Sequence, residues 1–341
     1  MSLPRPFAPM EAQLVSEIPV GNHWQYEPKW DGFRCVAFRD TQKLEMFSKA
    51  GQDLTRYFPE LVEAFLNLKA NQFAIDGEIA ISIDGRFSFN ELLQRIHPAK
   101  SRVQELSQQT PAIFIAFDLL CGPEGKDLIE QPLRERRQAL EEFATKYLAG
   151  QRSIRLSPAS SDLTQAKQWF KTVGNDLDGI IAKRLDFPYQ SGERGGIQKV
   201  KLVRTADCVA GGFRYAENKK LIGSILLGLY DDAGLLHHVG FCSGLKAAAR
   251  QSLVPKLERL IEPPGFTGHA PGGLSRWSTR RSMEWQPLKP QLVVEVSYDH
   301  FTGGRFRHGT RLVRWRPDKR PEQCQMEQVA ATGKGSLALL S

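Results

Sequence analysis

The run Ala112-Ile113-Phe114-Ile115-Ala116-Phe117-Asp118-Leu119-Leu120 is apolar but for one acid. Nine such residues cannot cross a bilayer, and they suit a central strand covered on both faces. A strand of that kind needs other strands beside it and helices over it, and the flanking sequence supplies both. Arg34 to Arg39 and Leu44 to Ser48 alternate as a hairpin around Asp40-Thr41-Gln42, and Phe73 to Ile81 reads as two short apolar strands joined at Asp76-Gly77-Glu78. Helical spacing of apolar residues appears over 58–69, 87–97, 133–148 and 162–173. In the third of these, Leu133, Leu140, Phe143 and Tyr147 share one face, and Arg134, Arg136 and Arg137 are expected in water.

Acids and bases punctuate these strands at positions where a bare core would have none. Glu27-Pro28-Lys29-Trp30-Asp31-Gly32-Phe33-Arg34 places a lysine where the chain leaves a turn and enters a sheet. A lysine attacks only as the free amine, and burial or neighbouring cations would lower its pKa. Glu78 lies inside an apolar run and so requires a metal, a lysine or a hydroxyl as partner. Asp178-Gly179-Ile180-Ile181-Ala182-Lys183 is a strand opened by an acid and closed by a base. Lys199-Val200-Lys201 projects two ammonium groups from one face, between which an anion fits.

Charge and texture change in the second part of the chain. Residues 1–200 hold 25 Lys and Arg against 26 Asp and Glu, whereas 201–341 hold 21 against 12, an excess that suits a polyanion. From about Asp207, five short strands and one helix (Leu245 to Ile261) are separated by turn residues, as in a small Greek-key barrel. Pro263 to Pro290 interleaves Arg276, Trp277, Arg280, Arg281 and Trp285, a pattern suited to phosphates and stacking. Five scattered cysteines without a C-x-x-C pair argue against zinc and disulfides. The start lacks the apolar core of a secretory signal, which gives a cytoplasmic, nucleoid-associated expectation.

In order, these pieces resemble the covalent nucleotidyltransferase superfamily, and closely the bacterial ATP-dependent DNA ligases of the ligase C and ligase D type. The resemblance rests on Lys29-Trp30-Asp31-Gly32-Phe33-Arg34, Ser48-Lys49-Ala50-Gly51, Asp76-Gly77-Glu78 and Phe114 to Leu120. It continues through Asp178 to Lys183, Lys199-Val200-Lys201 and Arg316-Pro317-Asp318-Lys319, spanning residues 27–319. Two positions depart from the family pattern: Asp178 stands where glutamate is usual, and Lys49 where arginine is usual, which loses the bidentate fork.

The resemblance implies an α+β chain. Residues 1–204 would form the nucleotidyltransferase (adenylation) domain, ATP-grasp-like with mixed antiparallel sheets and helices, and 205–341 an OB-fold β-barrel. It implies that Lys29 attacks ATP to give lysyl-AMP, that AMP passes to the 5′-phosphate at a nick, and that the 3′-hydroxyl then displaces it. Lys183, Lys199 and Lys201 would surround the α-phosphate and depress the Lys29 pKa. Glu78 and Asp178 would hold Mg²⁺ or Mn²⁺, and Phe117 and Ile181 would sandwich adenine beside Glu27. Arg34 and Lys49 would meet nucleotide or DNA, Arg316, Asp318 and Lys319 the departing pyrophosphate, and Arg276, Arg280, Arg281, Arg305 and Arg307 the duplex. The implied partner is nicked duplex DNA, bound by a monomer, with room for a primase-polymerase or other repair protein and no membrane.

Only 28 residues precede Lys29 and no cysteine quartet exists, which favours ATP over NAD⁺. An RNA ligase or capping-type guanylyltransferase would share the lysine chemistry. A catalytically silent nucleic-acid-binding scaffold would keep the fold without it.

Overall fold

The structure, a computed structural model, describes residues 3–173, 177–216, 221–272, 284–307, 309–330 and 335–340. By contacts the chain divides into two compact units, Met1–Leu202 with Ala331–Ser341, and Val203–Ala330. The sequence reading ends its first domain at 204 and gives everything beyond to the second; residues 335–340 instead belong with the first unit.

The first unit carries β1 (Gln13–Leu14), β2 (Trp24–Pro28), β3 (Phe33–Asp40), β4 (Lys43–Ser48), α1 (Pro59–Leu66), β5 (Gln72–Ile83) and β6 (Arg86–Phe87). It continues with α2 (Phe89–Gln94), α3 (Lys100–Gln109), β7 (Ala112–Cys121), α4 (Leu133–Phe143), β8 (Ile154–Leu156), α5 (Leu163–Val173), β9 (Gly179–Arg184) and β10 (Ile197–Lys201). Two sheets result, one ordered β4-β3-β5-β7-β8 and the other β1-β10-β9-β2. The apolar run that opens the sequence reading is β7, inside the larger sheet and antiparallel to β5. Its Phe114 joins Phe65, Phe73 and Leu140 in a core covered by α1 and α4.

Three sequence expectations change here. Residues 73–81 are one continuous strand, because the Asp76 carboxylate is neutralised within the fold and the ladder to β3 runs unbroken through Asp76-Gly77-Glu78. The second helix contracts to α2, with α3 following as a separate helix. Arg136 and Arg137 are buried, not wet. Arg136 grips Asp118 through both carboxylate oxygens (2.8 and 3.0 Å), and Arg137 donates to the Ser157 carbonyl (3.0 Å). A charged residue enters a core when a partner awaits it there.

The chain crosses from the smaller sheet to the larger between β2 and β3, through Lys29 to Gly32. A side chain at Gly32 would set its Cβ 2.2 Å from the Ile79 carbonyl oxygen, so only glycine lets this crossing lie flat on β5. Trp30 beside it is buried and donates from Nε1 to Ser157 Oγ (2.9 Å).

The second unit contains β11 (Arg204–Tyr215), β12 (Ile222–Tyr230), β13 (Leu236–Cys242), α6 (Ala247–Glu258) and β14 (Gln286–Pro287). The chain continues through β15 (Val293–Tyr298), β16 (Phe301–Thr302), β17 (Arg305–Phe306) and β18 (Arg311–Trp315). The main sheet runs β13-β12-β11-β15-β18, antiparallel throughout, and α6 packs on it. Among the described residues no closed barrel is found: β13 meets the chain just before β18 at a parallel bridge, Cys242 with Thr310. All five cysteines are free and buried. Among the described residues no helix is long and apolar enough to cross a membrane.

Candidate active site

A cavity of about 230 Å³ lies in the first unit, lined by residues of both sheets. Glu27 and Pro28 come from β2, Lys29 and Trp30 from the crossing, Arg34 from β3, Glu78 from β5 and Phe117 from β7. Ile181 and Lys183 of β9 and Ile197 and Lys199 of β10 complete the far side. Strand alternation accounts for the grouping: Ile181 and Lys183 are two apart on β9, and Ile181 lies opposite both Glu27 and Lys199 in register.

Lys29 is held at both ends. Its backbone N–H donates to the Gly179 carbonyl (2.9 Å), and its ammonium pairs with Asp178, whose side chain is 4% exposed. Gly179 is forced by the same closeness, since a Cβ there would come 2.0 Å from the Val200 carbonyl oxygen. Burial works against the Lys29 ammonium, but Asp178, with Glu78 and Asp31 at longer range, outweighs it, and the pKa is raised. This corrects the expectation of a depressed Lys29. It is Lys199 whose pKa is lowered, by burial and by Lys29, Lys49 and Lys201. Burial also pushes the Glu78 carboxyl up to about 7, against the pull of Arg34 and Lys29.

Lys183 and Arg34 are likewise partnered. Lys183 Nζ pairs with Glu27 (2.8 Å), donates to the Phe117 carbonyl (3.1 Å) and lies 4.5 Å from the centre of the Phe117 ring. Arg34 donates twice to the buried Asp76 (2.6 Å each), with its guanidinium 4.4 Å from the same ring centre. Asp76 also accepts from the Tyr189 hydroxyl (2.5 Å), and Arg136 lies over the Tyr189 ring. A chain of buried charges therefore backs the cavity from Arg34 to Asp118. Lys201, at the end of β10 opposite Gly179, is outside the lining.

One wall was not legible in the sequence. Pro9, Met10, Glu11 and Ala12 line the cavity, and β1 just beyond them pairs parallel to β10. Glu11 accepts from Lys49 (2.9 Å) and Arg194 (2.8 Å). No apolar periodicity marks this short segment, and both of its partners are distant in sequence.

In the second unit, Arg316 grips Asp207 (2.9 and 3.0 Å) and Asp318 (2.8 Å), and Lys319 donates to Asp207 (2.8 Å). Arg316 holds the Asp318 carboxyl down to about 2. Asp207 is thus the hub of the Arg316-Pro317-Asp318-Lys319 stretch, a role its sequence context does not signal. Arg305 meets His238 Nδ1 (3.0 Å), and the Arg307 backbone donates to the His300 carbonyl (3.0 Å). Arg276, Arg280 and Arg281 lie outside the described residues.

A divalent cation fits the donors present. Glu78 and Asp178 are hard oxygen ligands near the Lys29 amine, and Asp178 is buried against it. Among the described residues no group of three or more His, Cys, Asp or Glu side chains could hold a metal, so water and phosphate oxygens would fill the remaining positions.

Comparison with known proteins bears on this arrangement. Residues 9–201 match the family model described as ATP dependent DNA ligase domain, and 218–319 match the ATP dependent DNA ligase C terminal region. The chain is 42% identical over 340 residues to DNA ligase C2 of Mycolicibacterium smegmatis, spanning 95% of this chain and 94% of that protein. It is 42% identical over 339 residues to DNA ligase C of Mycobacterium tuberculosis, with the same coverage. A solved structure from a study of Lig E DNA ligases shares the fold at a TM-score of 0.53 and 13% identity, over 90% of this chain and 100% of that one.

Proposed function

Because the chain belongs to the ATP-dependent DNA ligase family and is an ATP-dependent DNA ligase, we propose the residues with which it seals 5′-phosphate/3′-hydroxyl nicks during DNA repair. The observation that carries this reading is the lysine at the sheet crossing, set in a cavity with a stacking aromatic and further cations.

Lys29 Nζ attacks the α-phosphorus of ATP. The N–P bond forms as the bond to pyrophosphate breaks, and the product is lysyl-AMP. The amine must first lose the proton that Asp178 and Glu78 favour, and Asp178, its partner, is placed to accept it. Lys199, whose pKa burial and the neighbouring lysines lower, offers charge to the phosphate oxygens, with Lys201 behind it. Phe117 and Ile181 bracket the adenine, with Glu27 at its edge. Because Arg34 and Lys183 stand over Phe117 in the free protein, adenine must displace or slide beside them. Glu78 and Asp178 would hold Mg²⁺ or Mn²⁺, which would supply positive charge to the phosphates. The remaining two transfers move AMP to the 5′-phosphate and then release it as the 3′-hydroxyl attacks.

We assign residues 1–204 to adenylation and 205–341, apart from the segment that returns to the first unit, to an OB-type domain. Arg316, Asp318 and Lys319 orient the departing pyrophosphate, and Arg34, Lys49, Arg276, Arg280, Arg281, Arg305 and Arg307 contact the nicked duplex. The test is incubation with α-labelled ATP followed by peptide mapping: label belongs on Lys29, and Lys29→Ala must abolish both label and sealing. Label on another lysine, or sealing by the alanine variant, would refute the assignment.

A further inference from the structure

Residues 335–340 form a short helical turn (Ser336–Leu340) on the first unit, far along the chain from everything they touch. Leu340 is buried in a cluster with Trp30, Ala80, Ile115 and Phe117, and Leu337 and Leu339 pack on the same cluster. Leu339 also reaches the group formed by Trp24 and Tyr26 of β2, the strand that delivers Lys29. The turn is anchored: the Leu337 N–H donates to the Gly85 carbonyl (3.2 Å), and Ser336 is 1% exposed. At Gly335 an added Cβ would come 2.0 Å from the Gly85 carbonyl oxygen, so the approach is backbone on backbone.

Trp30 and Phe117 both line the cavity and belong to the cluster that holds Leu340. Leu340 itself is not in the lining. We propose that residues 336–340 are a positioning element of the nucleotide cavity, bracing Trp30 and Phe117 from behind and so fixing the Lys29 crossing and the adenine-facing ring. The inference rests on the reading of Lys29 and Phe117 given above. Interiors are close-packed, so removing the brace leaves a gap into which Trp30 and Phe117 can shift. A displacement of about 1 Å at a reacting group costs on the order of a hundredfold in rate.

The experiment uses the full chain and reads ATP-dependent labelling of Lys29. Leu340→Ala is expected to raise the KM for ATP and slow labelling at saturating ATP by about tenfold. Leu340→Met, which refills the volume, should return both to within roughly twofold of wild type. Leu61→Ala, in the α1 core away from the cavity, controls for general loss of stability. It should lower Tm while leaving the KM for ATP unchanged. If Leu340→Ala does not fold, Leu337→Ala and Leu340→Val are measured well below their Tm and should show the same rise in KM. Wild-type KM and rate in Leu340→Ala, or an equal rise in Leu61→Ala, would overturn the proposal. Absence of label on Lys29 in the wild-type protein would instead overturn the underlying reading, so the two failures are distinguishable.

Discussion

Around the cavity of the first unit, cations and carboxylates pair one to one: Lys29 has Asp178, Lys183 has Glu27, Arg34 has Asp76 and Arg136 has Asp118. In the second unit Arg316 and Lys319 divide one buried acid, Asp207, while Asp318 stands 60% exposed. One-to-one pairing keeps a low-dielectric cavity close to neutral until a nucleotide arrives, and it holds each side chain in a single orientation. Shared pairing also balances two cations with two acids, but it leaves Asp318 largely in water, so the cluster is held less rigidly than the buried pairs.

If that contrast is sound, the largest loss of stability should follow from unpairing a buried acid. Arg136→Met leaves Asp118 alone in the core and should cost about 3–5 kcal/mol in urea denaturation. A change under 1 kcal/mol would mean that the buried pairs do not hold the unit together.

Glu78 comes next. Its folded pKa of about 7 lies above the ordinary value, so its contribution to stability is complete below pH 4.5 and is lost as pH rises through 7. Glu78→Gln cannot ionise. It should therefore be more stable than wild type by about 1–3 kcal/mol at pH 8, with the difference gone near pH 4.5, while nucleotide transfer to Lys29 weakens. Equal stability at both pH values would remove the case for a desolvated carboxylate.

Asp178→Asn takes away the charge that holds the proton on Lys29. The rising limb of the labelling rate should then move toward lower pH, even if the maximum rate falls. An unmoved limb would show that Lys29 is not the titrating group. Smallest of all should be Asp207→Asn. Arg316 keeps Asp318, and labelling should slow by roughly threefold, as for a partly solvated pair. A hundredfold loss there would erase the distinction between the two units.

What the sequence made legible follows from locality. The crossing at Lys29 is spelled out by neighbouring residues, above all Gly32, and β7 by an unbroken apolar run. Lys199 and Lys201 share a face because strands alternate. What was missed depends on distant partners. Arg136 looks like a surface residue until Asp118 is seen beneath it, and the pKa of Lys29 is set by a residue 149 positions away. Glu11, Asp207 and Leu340 carry no local signal, since their importance lies wholly in what the fold brings to them.

The return of residues 335–340 to the first unit has a consequence for biosynthesis. When a ribosome has made everything through Leu202, both sheets of that unit can pair, yet Trp30 and Phe117 still face solvent where Leu340 will sit. The whole of the second unit must be translated before that gap closes. The backing of the nucleotide cavity is therefore completed only after the second unit has been made.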